Sequence, residues 1–236
     1  MKDLREIPFQ TNPAAVNMAV DALMLEHAGR EGDALWRFYG WTEPAITFGY
    51  SQKWPWVESQ LPGFGGVSIR RITGGGIVDH RQDLTYALSI PAGHPFHRRQ
   101  ASDLYQELHQ SLARMLASQG FPADLQPCRR GCNQPRSQAS GICFQSPEPY
   151  DVIHPLSGIK IAGAAMKRTR SGLLVQGSLS PRAVPGLQAH DLESAFRGFL
   201  PEWLQLGSSS TLDAFAPSRI ETLARRFATP EWNHRR

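Results

Sequence analysis

Three stretches of this chain carry residue types that could do chemistry. The first runs from Arg70 to His80, RRITGGGIVDH, and follows a short extended run, Val67-Ser68-Ile69. Glycine loses the most backbone freedom on folding, so three in a row between strand-like runs mark a loop that something lies against. Without Cβ atoms, the N–H groups of Gly74, Gly75 and Gly76 could face an anionic or carbonyl-bearing ligand, and Thr73 opens the run. Arg70 and Arg71 would add fixed positive charge at the mouth, suited to phosphate or carboxylate. The spacing is neither that of a P-loop nor that of a dinucleotide fingerprint, and a tight glycine turn fits it equally well.

The second stretch is Ile159-Lys160-Ile161-Ala162-Gly163, a strand with one lysine, followed by Ala164-Ala165-Met166-Lys167-Arg168. A lysine in an apolar strand sits at an exposed edge or points into a pocket with a partner. For a lysine taken alone the exposed edge is the commoner outcome. The small neighbours Ala162, Gly163, Ala164 and Ala165 favour close approach by a ligand or another backbone. The third stretch holds the cysteines, Cys128, Cys132 and Cys143. With His154 they do not match a usual structural zinc spacing, so no metal is expected. By residue type alone, Cys143 beside Phe144 reads as a small buried hydrophobe.

The elements that must position these groups are legible in outline. Asn12-Pro13 reads as a helix start, with Val16, Val20, Leu23 and Met24 at helical spacing and an end near Gly29. Leu35 to Tyr39 and Ala45 to Tyr50 read as a hairpin turned at Trp41-Thr42-Glu43-Pro44. Asp83 to Ile90 alternates Leu84, Tyr86 and Leu88 with smaller or polar neighbours, as a half-buried strand does. Ser102 to Gly120 is the best helix, its stripe being Leu104, Leu108, Leu112, Met115 and Leu116, with Gly120 as its C-cap. Ser171-Gly172 reads as a turn, and Leu173 to Leu179, which includes Gly177, as the return strand. Near the end, Ile220, Leu223, Ala224 and Phe227 form the stripe of the last of two helices.

Composition bounds the class. The 236 residues are 41% hydrophobic and 19% charged, which is ordinary for a globular chain. No apolar run reaches membrane-spanning length, and the N-terminus MKDLREIPFQ lacks a secretory pattern. An odd, sparse set of cysteines argues against a disulfide framework, so the expected compartment is the cytoplasm. The formal charge of +4 is spread over arginine pairs. It would suit an acidic protein partner, and no nucleic-acid motif or membrane element is present.

Arg70 to His80 with the following D-L-T-Y resembles the loop of the lipoate–protein ligase and octanoyltransferase superfamily, a relative of the biotin ligases. Asn17, Trp36 to Tyr39 and Gly49-Tyr50-Ser51-Gln52 resemble that family's opening helix and first hairpin. Lys160-Ile161-Ala162-Gly163-Ala164-Ala165 and Leu173-Leu174-Val175-Gln176-Gly177-Ser178-Leu179 resemble its second motif and the hairpin after it. The resemblance covers most of residues 12 to 180. It implies a biotin/lipoate-ligase-like α/β domain with a mixed, largely antiparallel central sheet flanked by helices. Residues 1–184 would form this domain and residues 185–236 a short helical extension of it. It also implies that Lys160 contacts the activated carboxyl group. Arg70, Thr73, Gly74, Gly75, Gly76, His80, Gly163, Ala164 and Gly177 would then bind substrate.

Within the superfamily, Ser140-Gly141-Ile142-Cys143-Phe144, then Pro147 and Tyr150-Asp151, resembles the segment that carries the nucleophile of the cysteine-dependent octanoyltransferases. That implies octanoyl transfer from acyl carrier protein through a Cys143 thioester to a lysine of a lipoyl domain or glycine cleavage H protein, with no cofactor. A thiolate exchanges one thioester for another at little cost, and a nearby lysine would raise its thiolate fraction. Two alternatives stay open: an ATP- and Mg-dependent lipoate–protein ligase acting through lipoyl-AMP, and a non-catalytic lipoyl- or acyl-binding sensor. Asp79 and Arg81 around His80, and Met166-Lys167, depart from the family pattern and leave the donor open. His80 is a weak candidate for the general base.

Overall fold

The computed structural model describes residues 4–128, 146–187, 192, 195–201, 204, 206–211 and 215–235. The chain opens with two short strands, β1 (Leu4–Glu6) and β2 (Gln10–Asn12), and then helix α1 (Ala14–Glu31). Next come β3 (Ala34–Trp41), β4 (Ala45–Phe48), α2 (Trp54–Ser59), β5 (Val67–Arg70), β6 (Val78–Asp79) and β7 (Leu84–Pro91). A helical turn, α3 (Pro95–Arg98), leads into α4 (Ala101–Ser118) and the strands β8 (Asp124–Leu125), β9 (Val152–Ile153), β10 (Lys160–Arg168) and β11 (Gly172–Leu179). The described C-terminal elements are β12 (Leu206–Thr211), α5 (Pro217–Phe227) and α6 (Pro230–Asn233).

The larger sheet runs β12-β1-β3-β7-β11-β10-β9-β8, with β2 also on β3, and the smaller runs β5-β4-β6. From β3 to β8 every pairing along that path is antiparallel, while β1 pairs parallel with both β3 and β12. The architecture is thus the mixed, largely antiparallel α/β arrangement expected. Strand alternation sends the two faces of the large sheet to different helices. Leu35, Tyr39, Ala87 and Leu174 pack with Val20, Met24 and Leu25 of α1. Their neighbours Trp36, Phe38, Tyr86, Leu88, Leu173 and Val175 pack with Leu104, Leu108, Leu112 and Met115 of α4.

Three local expectations are corrected. β3 and β4 do not form a hairpin: β3 pairs with β1, β2 and β7, and β4 with β5 and β6. The turn at Trp41–Pro44 carries the chain from one sheet to the other, and so opens a gap between them. Helix α1 runs past Gly29 to a left-handed Gly32 at φ 80°. Gly29 is there for contact, since a Cβ on it would lie 2.7 Å from the Cβ of Ser171. Residues 185–236 are not purely helical, because β12 extends the large sheet beside β1.

The C-terminal helices lock onto the small sheet through Arg70. Its Nε donates to the carbonyls of Trp232 and Asn233, Nη1 to those of Tyr50 and Gln52, and Nη2 to that of Asn233. The Asn233 side chain accepts from the Arg70 backbone N–H at 2.7 Å and donates to the carbonyls of Phe227 and Thr229. Buried groups that lose a partner cost about 1–3 kcal/mol each. Asn233→Ala is therefore expected to lower stability by about 2 kcal/mol or more in urea unfolding, with an unchanged m-value.

Candidate functional site

A narrow cavity opens in the gap between the two sheets. Met18 of α1, Tyr39 and Trp41 of β3, Thr47 of β4, and Val78 of β6 form one part of its wall. Arg71, Gly75 and His80 come from the glycine loop and its exit, and Gly163, Ala164, Ala165, Gln176, Gly177 and Ser178 from the β10–β11 hairpin. The sequence motifs thus meet at one place, although more than eighty residues separate the loop from the hairpin.

Arg71 shapes the glycine loop from within. Its Nε and Nη2 donate to the Gly74 carbonyl, Nη2 also to that of Gly76, and Nη1 to the Thr47 hydroxyl. Gln52 donates to the Gly75 carbonyl. With all three glycine carbonyls held by side chains, the loop's N–H groups keep its remaining hydrogen-bonding capacity. Gly75 is left-handed at φ +88°, which an L side chain rarely adopts. A Cβ on Gly49 would sit 2.0 Å from the Gly75 oxygen, so the loop rests directly on the end of β4. Arg71, not Arg70, lines the cavity, and Arg70 is the buried clamp to the C-terminal helices.

The cavity floor rests on a buried charge. Asp21 of α1 accepts from Nε and Nη2 of Arg37 at 2.9 and 2.6 Å, and from the Tyr39 hydroxyl at 2.8 Å. Burial, reinforced by Asp21, pushes the Tyr39 hydroxyl well above its ordinary pKa, so it remains a donor. Asp21 also accepts from the Gln176 amide at 2.6 Å, which orients Gln176 to accept from the Thr73 hydroxyl at 2.7 Å. The Thr73 hydroxyl thereby ties the glycine loop to β11. No motif flagged Asp21 or Arg37. The signal was an aspartate on the apolar face of a helix and an arginine inside Trp36-Arg37-Phe38-Tyr39.

His80 is also held in place. Its ring stacks on Trp41 at 4.0 Å between centroids, Nε2 pairs with the Thr47 hydroxyl at 2.8 Å, and Nδ1 with Asp83 at 2.7 Å. Both nitrogens are occupied, which opposes the role of general base on substrate. The Ser178 hydroxyl donates to the same Asp83 oxygen.

Lys160 is no edge lysine. Its side chain is 3% exposed, and Nζ lies 2.7 Å from Oδ2 of the fully buried Asp151. Asp151 also accepts from the Glu148 N–H at 2.7 Å and from the Tyr105 hydroxyl, which in turn accepts from the Ala164 N–H at 2.9 Å. Burial and then Asp151 push the Tyr105 hydroxyl well above its ordinary pKa, keeping it a donor. Gly163 makes the pair possible: a Cβ there would lie 2.5 Å from Lys160 Cε and 2.8 Å from Asp151 Oδ1. Gly177 serves packing, since a Cβ would meet the Tyr86 ring at 2.0 Å. Behind Asp151, His109 Nδ1–H donates to the Tyr150 carbonyl and Nε2 accepts from the Tyr86 hydroxyl. Burial lowers the His109 pKa to about 4.

Of the nominated ligands, Gly75, His80, Gly163, Ala164 and Gly177 line the cavity, whereas Thr73, Gly74 and Gly76 build the loop behind it. Lys160 lines an adjoining cleft. Cys132 and Cys143 lie outside the described residues. Among the described residues, no helix is long and apolar enough to cross a membrane.

A two-sheet α/β domain with a cavity under a glycine loop and a buried lysine beside it is a recognisable class. A putative lipoate protein ligase from T. acidophilum superposes with a TM-score of 0.73 over 100% of both chains at 16% identity. A lipoate-protein ligase A solved with ATP superposes with 0.71 over 99% of both, also at 16%. At this identity the likeness concerns the fold. The family follows from the sequence: residues 13–226 match the lipoyl protein ligase A/B catalytic domain, and the chain belongs to that family. Among curated relatives, octanoyltransferase LipM of Kyrpidia tusciae is 33% identical over 174 residues, 70% of this chain and 61% of that protein. Octanoyltransferase LipM of Staphylococcus aureus is 30% identical over 197 residues, 78% of this chain and 65% of that protein. The chain thus spans about six tenths of the length of the curated relatives it matches.

Two outcomes follow from the buried groups. Asp21→Ala would strand the Arg37 guanidinium in the interior, and a stability loss of about 3–5 kcal/mol is expected in urea unfolding. His109 has a folded pKa below its unfolded value, so between about pH 6.5 and pH 4 the unfolded state binds the extra proton. Its contribution is complete above pH 6.5 and is lost as pH falls towards 4, by about 3 kcal/mol in all. Unfolding free energies measured across that window should decline with acidification, and His109→Gln should flatten the decline.

Proposed function

We propose that the protein transfers an octanoyl group from acyl carrier protein to a lysine of a lipoyl domain or glycine cleavage H protein, through a thioester on Cys143. The observation that carries the reading is the buried Lys160–Asp151 pair, set beside a cavity whose wall combines small and apolar residues such as Met18, Val78, Gly163, Ala164 and Ala165 with Arg71, His80 and Gln176. An acyl chain laid between the loop and the β10–β11 hairpin brings its carbonyl to the end walled by Gly163 and Ser178. There the Lys160 ammonium, held in place by Asp151, and the loop N–H groups can stabilise a developing oxyanion. The names of the curated relatives support octanoyl transfer over the other reactions of the family.

Cys143 enters on its motif and its tether. It stands five residues before Glu148, whose N–H donates to the carboxylate that holds Lys160, so at most roughly 18 Å of chain separates the two. The first half-reaction moves the acyl group from the carrier's thiol to Cys143 and releases the carrier. In the second, an acceptor amine attacks the enzyme thioester and restores the thiol. The reaction needs no cofactor and places the protein in the cytoplasm with its carrier and acceptor proteins. The ligase alternative would instead use ATP and Mg to activate free lipoate.

Intact-protein mass spectrometry after incubation with octanoyl carrier protein, without ATP, tests this. The expected result is one octanoyl adduct, released by hydroxylamine and absent in Cys143→Ala. Lys160→Ala should slow its formation about a hundredfold or more. No adduct, together with ATP- and lipoate-dependent modification of a lipoyl domain, would establish the ligase. Inactivity in both assays would favour the sensor.

A further inference from the structure

Resting on the transfer reaction proposed above, we infer that the cleft beside Lys160 admits the acceptor lysine and that Asp83 takes its proton. The cleft, about 300 Å³, is walled by Asp83, Lys160, Ser180 and Arg182 among others. It lies across a shared wall from the acyl cavity: His80 and Ser178 line the cavity, and Asp83, to which both are hydrogen bonded, lines the cleft. A nucleophile arriving through the cleft therefore meets Lys160 and Asp83 on its way to the acyl carbonyl.

Asp83 has the chemistry such a nucleophile needs. Its Oδ2 accepts from His80 and Ser178, while its buried Oδ1 has no hydrogen-bond partner. A buried carboxylate oxygen without a donor is costly, and its presence calls for an occupant with a donor to give. A primary ammonium supplies three. Lysine has an unperturbed pKa of about 10.4, so at neutral pH it arrives protonated and cannot attack until a proton is removed. His80 is fully engaged, Lys160 is a cation paired with Asp151, and Asp79, the other carboxylate on the cleft wall, has both oxygens taken by Arg81, which leaves Asp83 Oδ1 as the open acceptor.

The step balances as follows. One ammonium proton passes to Asp83 Oδ1, and the freed nitrogen lone pair forms the C–N bond at the thioester carbonyl carbon. The C–S bond then breaks with its electron pair going to sulfur, and a second nitrogen proton passes to that sulfur, leaving an amide and a thiol. Asp83 returns its proton to water through the cleft.

The test separates the two half-reactions in Asp83→Asn. Loading from octanoyl carrier protein, read as the mass adduct, should stay within about threefold of wild type. Transfer from the loaded enzyme to a lipoyl domain at pH 7 should fall about a hundredfold or more. The deficit should shrink as pH rises and the acceptor amine loses its proton without help. Deacylation by hydroxylamine, a nucleophile already neutral at pH 7, should proceed at the wild-type rate. Transfer at the wild-type rate would overturn the inference. So would equal losses of loading and transfer, because Asp83 would then only hold His80 and Ser178 in place. Wild-type protein that never loads would overturn the transfer reading itself, and this inference with it.

Discussion

The buried Asp21–Arg37 pair is the constraint on which the rest of the site depends. Two opposite charges, both essentially without solvent contact, join α1 to the middle of β3. Such a pair is worth little in net stability but is very costly to break on one side. It therefore fixes a single arrangement of helix on sheet. Asp21 has oxygens to spare, and it spends them on Tyr39 and Gln176, so the same charge orients the amide that holds Thr73 and, through it, the glycine loop. The loop's shape is thus set from a helix fifty residues earlier in the chain.

A second network works from the other side of the sheet. Lys160, Asp151, Tyr105 and the Ala164 N–H form one connected set, and His109 and Tyr86 support it from behind through the Tyr150 carbonyl. Tyr150 is the one described non-glycine residue with positive φ, at 68°, next to Asp151. That conformation turns the backbone so that Asp151 faces Lys160 while the Tyr150 carbonyl faces His109. Both networks end at the cavity, one on the loop and one on the hairpin. The groups that border the cavity are therefore held by polar partners that are themselves buried and satisfied, the condition under which such networks rigidify a site.

The glycines show how one residue type serves several ends. Gly74, Gly75 and Gly76 invite the reading of a ligand against bare backbone, and Gly163 that of close approach by a ligand or another backbone. In the structure Gly163 makes room for the Lys160 side chain and Gly177 for the Tyr86 ring, while Gly75 supplies a left-handed turn. Arg70 and Arg71 are adjacent and chemically identical in sequence. Strand alternation sends one to the C-terminal helices and the other under the loop, and no local pattern says which.

By itself the sequence determined the periodic elements, the helix of Ser102 to Gly120 and the hairpin around Ser171-Gly172, because side-chain period and turn chemistry are local. It also determined the family, since the loop and lysine motifs keep their residues and their order. Tertiary structure alone decided that β3 and β4 belong to different sheets, because pairing is a long-range choice that two neighbouring strand-like runs do not encode. It alone decided the partners of Lys160, Thr73 and His80 as well. Each of those side chains satisfies its polar groups with a residue distant in the chain or hidden in an unremarkable position. Burial, which makes such pairing compulsory, is a property of the packed molecule.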